Sequence, residues 1–212
     1  MITFSQEQKI NLLKYVFIAT ILLVNILGSK IMTLGTINIS VAIWLLPILF
    51  LITDILEEVK GAHTVRNLVF SSAAILLFSF LFIQLTVYIT PAERYTHNDA
   101  FVTIFQNSSR MIIASIFAFV IGQMHDIWAF DFWKKKTHGK YLWLRNNLST
   151  GVSQFIDTTI FIFLAFYQIS PKFDFAFMWK LILPYYAVKL VLAFLDTPFV
   201  YLGVKWLKKS PK

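Results

Sequence analysis

Six long apolar stretches, separated by short polar connections, run through the 212-residue chain. Each has roughly 20 residues or more, which is the length an α-helix needs to cross a hydrocarbon layer about 30 Å thick. The predicted spans are residues 11–29, 37–56, 67–90, 111–130, 148–168 and 180–206. This pattern predicts an all-α polytopic membrane protein, in which a bundle of six transmembrane helices forms a single transmembrane domain over residues 1–212.

The amino-acid composition agrees with this prediction. Hydrophobic residues make up 58% of the chain, whereas soluble domains contain about 45–50%. The first apolar stretch is as long as a full span and has no Ala-x-Ala cleavage pattern, so we expect a transmembrane helix and not a cleaved signal. The sequence has no cysteine, which excludes disulfides and thiolate metal sites.

The distribution of positive charge predicts the orientation in the membrane. Most of the 19 lysines and arginines fall on the side that holds both termini and the connection between the fourth and fifth spans. Because cytoplasmic connections of membrane proteins are enriched in these residues, we expect both termini in the cytoplasm. The net charge of +8 therefore needs no nucleic acid as a partner; the expected surroundings are the lipid bilayer.

The longest connection on the other side comprises residues 91–109. Asp99 could cap a short helix that presents Phe101, Ile104 and Phe105 on one face, as in helices that lie at the membrane interface. An ordered loop with a few buried aromatic residues is the alternative.

Small residues recur every four positions in the fourth predicted span, at Ala114, Ala118 and Gly122. Small side chains in this register allow two helices to approach closely. We therefore expect this stripe to serve helix packing and not chemistry.

Three ionisable residues lie well inside predicted spans, namely Asp157, Lys189 and Asp196. A charged side chain at the centre of a bilayer costs roughly 2.5–3.5 kcal/mol on insertion scales unless a partner or a water-filled cavity compensates it. Asp157 would pair with Lys189 if the fifth and sixth helices pack side by side. Such a pair can hold a polar substrate or couple transport to an ion, or it can only neutralise charge and orient the bundle.

Two further polar groups are expected nearer the membrane surfaces. The inner group comprises Asp54, Glu57, Glu58, Gln123, His125 and Asp126. Pairing with Arg66 or Arg145 is a sufficient structural explanation for most of it. At the outer side, we expect Arg110 to extend its charge to the interface and Asn25 to form a hydrogen bond between helices.

The sequence lacks the motifs of several enzyme classes. It contains neither a Gly-rich phosphate-binding loop that ends in Gly-Lys-Ser/Thr nor a His-Glu-x-x-His pair. We therefore expect no cofactor, no metal and no enzymatic activity. The enzyme alternative would use Asp126 and His125 as acid and base near the cytoplasmic face.

Motifs in the right order along nearly the whole chain resemble the queuosine precursor transporters, which belong to the vitamin-uptake transporter family of the bacterial cytoplasmic membrane. The segments that carry the resemblance are D-I-L-E-E-V-K-G (54–61), G-Q-M-H-D (122–126), S-Q-F-I-D-T (153–158) and Y-A-V-K (186–189), together with Pro47, Arg110, Ala114, Ser115, Asn147, Ser149 and Phe161. One departure is Lys60, because the family often has an aromatic residue before the glycine.

The resemblance implies uptake of a 7-deazaguanine, such as 7-cyano- or 7-aminomethyl-7-deazaguanine. This base presents a ring N–H and an exocyclic amine side by side, two donors that suit one carboxylate. We expect Asp157 to supply it, with aromatic stacking from Phe161, Tyr185 or Trp44. The expected substrate-binding residues are Asp157, Gln154, Asn147, Lys189, Asn25, Tyr185 and Phe161. The expected coupling or structural residues are Asp54, Glu58, Arg110, Gln123, Asp126 and Asp196.

Three alternatives stay open at the level of the sequence. The chain could be the substrate-binding subunit of an ATP-driven vitamin uptake system, since such subunits are also small six-helix proteins. Transport could be proton-coupled through Asp157, Lys189 and Asp196, or passive with metabolic trapping of the substrate. Six helices form a narrow bundle, which is compatible with a homodimer.

Overall fold

The structure, a computed structural model, describes residues 4–106 and 109–209. Most of these residues are helical, and two short strands form an antiparallel hairpin in which Leu34 pairs with Ile37. The elements are α1 (Gln6–Leu27), β1 (Ile31–Leu34), β2 (Ile37–Ser40), a 3₁₀ helix (Val41–Leu45), α2 (Leu46–Lys60), α3 (Ala62–Tyr88), α4 (Asn98–Gln106), α5 (Ser109–Lys136), α6 (Leu142–Phe166) and α7 (Phe175–Lys208).

Five stretches of the described chain are long and apolar enough to cross a membrane. They are α1, α3, the stretch Asn98–Lys136 that contains α4 and α5, α6, and α7. With α2 as the sixth helix of the bundle, these stretches confirm the predicted class, a polytopic all-α membrane protein. The protein is therefore a multi-pass membrane protein.

The second predicted span, residues 37–56, differs from the observed structure. Residues 37–40 form strand β2, a 3₁₀ turn follows, and the helix begins only at Leu46 and continues to Lys60. At 15 residues α2 is about 22 Å long, which is shorter than a hydrocarbon layer of about 30 Å. Strand β2 and the 3₁₀ turn occupy the rest of the predicted span. Non-helical backbone at membrane depth is tolerated where it is covered by protein or lines a cavity, and the hairpin lines one.

The two ends of the bundle differ in character. We call the end that carries β1 and β2 the hairpin end. At the opposite end, α5 closes with three lysines and α7 with Lys205 and Lys208, and we call it the basic end. α1, α3 and α6 run from the basic end to the hairpin end, and α2, α5 and α7 run back.

α2 lies at the centre of the bundle and packs against α1, α3 and α7. All six residues from Ile52 to Glu57 are buried, so hardly any of this part of α2 is left for lipid. The largest apolar cluster surrounds it and draws its side chains from α1, α2, α3, α5 and α7, with Leu142 from α6. Gly61, with φ of 84°, ends α2 in a conformation that favours glycine.

The short helix predicted in residues 91–109 is present as α4 and packs against α3. The rings of Phe101 and Phe105 lie 4.7 Å apart on one face of it. Asp99 lies within the first helical turn. The helical alternative is thus confirmed, and the loop alternative was wrong.

Candidate substrate-binding site

A cavity of about 330 Å³ lies between the hairpin, α1, α2, α5, α6 and α7. Its walls reach from Asn38 and Phe173 at the hairpin end to Asp157 and Gln123 in the middle of the bundle. Most of the lining is apolar, and the two charged groups, Asp157 and Lys189, lie in its deeper half. Small-molecule sites have this composition, because an apolar wall contributes affinity and a few polar groups fix the orientation of the ligand.

The predicted pair of Asp157 and Lys189 is confirmed. The helices α6 and α7 pack side by side, and Lys189 Nζ lies 2.5 Å from Asp157 Oδ2. The Lys189 side chain is 5% exposed and that of Asp157 is 22% exposed, and both line the cavity. Lys189 Nζ also lies 5.6 Å from the centre of the Tyr185 ring. The carboxylate of Asp157 thus compensates the desolvated ammonium of Lys189. The carboxylate has further acceptor positions, and a ligand can bind to these.

Three uncharged polar side chains stand close to this pair in the wall of the cavity, namely Gln123, Gln154 and Thr158. All three are at least nine-tenths buried. Within the described residues, the amide oxygens of Gln123 and Gln154 and the hydroxyl of Thr158 have no hydrogen-bond partner. A buried polar atom without a partner is costly. Their position in a cavity wall indicates that a ligand can supply the missing bonds.

Two of the three predicted stacking residues lie at the cavity, Phe161 on α6 and Tyr185 on α7. Trp44 is not a lining residue and is 54% exposed on the surface of the bundle. Asn147 also lies outside the cavity. Its Nδ2 donates to the Trp143 carbonyl at 2.7 Å and to Thr197 Oγ1 at 3.0 Å, which ties α6 to α7.

The two polar residues predicted near the outer side behave differently from expectation. Asn25 lines the cavity, but its Nδ2 donates to the carbonyl of Ile21 in the same helix at 2.9 Å, so the predicted bond between helices was wrong. Arg110 does not merely extend to the interface. Its Nε donates to the Leu164 carbonyl at 2.7 Å and its Nη2 to the Tyr167 carbonyl at 2.8 Å, which satisfies the carboxyl-terminal end of α6.

The hairpin contributes cavity residues that were not expected from the sequence, chiefly Asn38 and Ser40. Asn38 Oδ1 accepts a hydrogen bond from Thr33 Oγ1 at 3.0 Å, and Ser40 Oγ donates to the Gly28 carbonyl at 2.8 Å. The strict alternation of apolar and polar residues from 37 to 40, preceded by Gly35 with φ of 61°, is the signal that could have identified this hairpin.

Gly122 allows α5 and α6 to meet beside Asp157, in agreement with the predicted packing role of the small-residue stripe. A methyl group at Gly122 would lie 2.9 Å from Asp157 Cβ and 3.5 Å from the Ser153 carbonyl oxygen. Real contacts of this kind are longer, so a side chain here would have to displace the segment of α6 that carries Asp157. Packing at Gly122 therefore positions the carboxylate.

We expect the Gly122→Ala variant to lose substrate affinity by roughly five- to a hundredfold, which corresponds to the 1–3 kcal/mol typical of overpacking. Ligand binding to the purified protein measures this effect. The matched control is Gly151→Ala on α6, where the added methyl would meet Leu190 Cδ2 at an ordinary 3.7 Å. Equal affinities of the two variants would contradict the positioning role of Gly122.

Between the cavity and the basic end lies a second polar region, built from buried side chains of α2, α5, α6 and α7. Asp54 and Asp196 belong to it, and so does Asp126, which faces the hydroxyls of Ser149, Thr150 and Ser153. Toward the basic end, Glu58 Oε2 lies 2.9 Å from Lys134 Nζ and 3.2 Å from Arg145 Nη2. The predicted pairing with Arg145 is thus confirmed for Glu58. It was wrong as an explanation for most of the inner group, because within the described residues Asp54, Glu57 and Asp126 form no salt bridge and Arg66 is exposed.

Comparisons with known proteins indicate that this chain is a transporter. Residues 40–203 match the sequence model of the family described as "Putative vitamin uptake transporter". A Bacillus subtilis (strain 168) protein named "Probable queuosine precursor transporter" is 29% identical over 166 residues, which cover 77% of this chain and 71% of the relative. A Haemophilus influenzae protein of the same name is 28% identical over 134 residues, which cover 60% of this chain and 52% of the relative. No solved structure matches the chain. Since the family match covers well over half of the sequence and the helices have membrane-spanning length, the chain belongs to the vitamin uptake transporter family and is a membrane transporter.

Proposed function

We propose that this protein imports a queuosine precursor, a 7-deazaguanine such as 7-cyano- or 7-aminomethyl-7-deazaguanine, across the bacterial cytoplasmic membrane. The observation that carries the proposal is the Asp157–Lys189 pair in the wall of a 330 Å³ cavity in the middle of the bundle. The names of the relatives from Bacillus subtilis and Haemophilus influenzae support the substrate class.

The donor pattern of the base suits the carboxylate of Asp157. A 7-deazaguanine presents a ring N–H and an exocyclic amine on one edge, and one carboxylate can accept from both. When no substrate is bound, Lys189 compensates Asp157, because its Nζ lies 2.5 Å from Asp157 Oδ2. The amide groups of Gln154 and Gln123 stand close by to meet the other polar atoms of the ring.

The size and the walls of the cavity suit a flat bicyclic base. Its volume of 330 Å³ falls within the range of about 300–1,000 Å³ that small-molecule sites occupy. Phe161 and Tyr185 offer aromatic faces beside the carboxylate. Aromatic side chains stack on bases with roughly 1–3 kcal/mol per base, so the ring can be held by its face while Asp157 recognises its edge.

The distribution of charge supports the direction of import. With the basic end in the cytoplasm, both termini are inside and the hairpin end faces outward. The cavity then extends toward the outer side, while the Glu58–Arg145–Lys134 ion pairs lie between it and the cytoplasm. Substrate would enter from the hairpin end and leave after those pairs rearrange.

The test is uptake of labelled 7-cyano-7-deazaguanine by proteoliposomes that contain the purified protein and no nucleotide. Uptake that depends on the protein, together with saturable binding in detergent, is the expected result. Uptake only after addition of ATP and an ATPase module would favour the alternative of a substrate-binding subunit. Absence of binding by a well-folded protein would overturn the proposed substrate.

We expect an analogue without the exocyclic amine to bind roughly 10- to 100-fold more weakly than the parent 7-deazaguanine. The loss of one hydrogen bond to a charged group, about 1.5–3 kcal/mol, sets this range. Competition against the labelled base measures the ratio. The control is an analogue that lacks only the substituent at position 7 and keeps both donors of the edge. Equal affinities of the parent base and the amine-free analogue would contradict recognition by Asp157.

A further inference from the structure

Three buried carboxylates meet between the cavity and the basic end. Asp54 on α2, Asp126 on α5 and Asp196 on α7 are 2%, 5% and 6% exposed. Asp126, Asp196 and Glu57, all of the same sign, lie close enough to Asp54 for their charges to repel its own. Helices from three parts of the chain thus bring like charges together in a region covered by protein.

The cations of this region are already engaged elsewhere. Arg145 and Lys134 both contact Glu58, and Lys189 pairs with Asp157. Within residues 4–106 and 109–209, no salt bridge includes Asp54, Glu57, Asp126 or Asp196. An ionised carboxylate buried without a partner costs several kcal/mol, so charge balance requires positive charge to enter this cluster or protons to reside on it.

Uncharged side chains that point into the cluster support the same conclusion independently. Asn146 faces Asp54, and Thr150 faces Asp126. Both are 2% exposed, and within the described residues Asn146 Oδ1 and Thr150 Oγ1 have no hydrogen-bond partner. The unpartnered carboxylate atoms are Asp54 Oδ2, Asp126 Oδ1 and Asp196 Oδ2. The amide oxygen Asn146 Oδ1 can only accept, so it needs a donor, and a proton on a carboxyl group of the cluster provides one.

One face of α6 joins this cluster to the cavity. Asn146, Thr150, Ser153 and Asp157 are spaced by four, three and four residues, which places them in one row along the helix. The row covers roughly 16 Å at a rise of 1.5 Å per residue. Ser153 Oγ, in the middle of it, also lies 2.9 Å from His125 Nδ1. The row thus extends from the cluster to Asp157 in the wall of the cavity.

We propose that Asp54, Asp126 and Asp196 form a proton-binding site, and that the protein moves a proton in the same direction as its substrate. The inference rests on the proposed function, because it needs a transported substrate. The proton is taken up by a carboxylate of the cluster from the hairpin side and is released at the basic end when that carboxyl ionises again. No bond other than O–H forms or breaks.

The other charged groups near the cluster come from every element packed around it. α2 contributes Glu57 and Glu58, and α6 contributes Arg145. α5 contributes His125, Asp131 and Lys134, and α7 contributes Lys189. On α1, the buried Lys9 is engaged with the Trp206 carbonyl at 2.9 Å, and on α3 His63 and Arg66 are exposed. The cations among these groups are exposed or are engaged with Glu58, Asp157 and the Trp206 carbonyl, so within the described residues no salt bridge joins one of them to the cluster.

The test measures accumulation of labelled 7-cyano-7-deazaguanine in proteoliposomes under a pH gradient, a sodium gradient or neither. For the wild-type protein, we expect accumulation when the interior is alkaline and its loss on addition of a protonophore. In Asp126→Asn, where an amide replaces the titrating carboxyl, the accumulation ratio should no longer respond to the pH gradient. The matched control is Asp99→Asn, at an exposed position of α4, which should respond like the wild type.

A second measurement does not depend on any variant. Substrate added to the wild-type protein in weakly buffered detergent should change the pH of the solution, as read by an indicator dye. Equal transport with and without the pH gradient, accumulation driven by sodium instead, or an Asp126→Asn variant that responds like Asp99→Asn would overturn the proton site. Failure of the wild-type protein to bind the base at all would instead overturn the proposed function, so the two failures are distinguishable.

Discussion

Replacement of Asp157 by asparagine is expected to lower the affinity for a 7-deazaguanine by roughly a hundredfold or more, because the amide turns an NH₂ donor toward the donors of the base. The same change leaves the ammonium of Lys189, 5% exposed, without its counter-ion. Equilibrium binding to the purified protein and initial uptake rates in proteoliposomes measure the loss. Asp99→Asn, an exposed change of the same chemistry, serves as the control.

The two causes of this loss can be separated by a second change. Lys189→Met in the Asp157→Asn background removes the unpaired charge and keeps much of the volume of the side chain. If recognition by the carboxylate is responsible, the double variant becomes stable but still does not bind the base. If the unpaired ammonium is responsible, binding returns. Near-normal uptake by a well-expressed Asp157→Asn protein would rule out the role of Asp157 in recognition.

The second large effect is expected on stability, from replacement of Arg145 by methionine. The Arg145 side chain is 1% exposed, contacts Glu58 at 3.2 Å, and has its guanidinium carbon 5.2 Å from the centre of the Phe130 ring. Removal of one partner from a buried ion pair typically costs about 3–5 kcal/mol. For a chain of this size, the loss corresponds to a decrease of the melting temperature of roughly 6–20 °C. Thermal unfolding in detergent measures it.

The control for Arg145 is Lys135→Met, which removes the cation of an exposed pair with Asp131. The Lys135 side chain is 77% exposed, so this change should leave the melting temperature within the scatter of the wild type. A melting temperature of Arg145→Met equal to that of Lys135→Met would contradict the structural role of Arg145.

Hydropathy alone was sufficient to predict the spans of this chain where a helix crosses the whole membrane. A run of about 20 apolar residues has few other stable structures, because every backbone polar group must be satisfied without water. Residues 37–56 are the exception. Their hydropathy suited one helix, but the alternation near Asn38 and the glycine at position 35 form a hairpin that the length criterion does not detect.

Within the site, the sequence predicted the pair of Asp157 and Lys189, because two opposite charges at similar depth on adjacent helices have few other ways to be compensated. The partners of neutral polar residues could not be predicted in the same way. Asn147 faces Thr197 and not the cavity, and Gln123 faces the cavity. This difference depends on the rotation of each helix about its axis, which packing against several neighbours determines. Hydropathy contains no information about it.

The burial of α2 has a consequence for how the chain enters the membrane. A segment of 15 residues with Asp54, Glu57 and Glu58 in its second half is a weak signal for membrane insertion on its own, because each carboxylate is costly in lipid. α1 and α3, both long and apolar, are strong signals on either side of it. We therefore expect α2 to enter the bilayer only together with α1 and α3, which pack against it in the folded bundle.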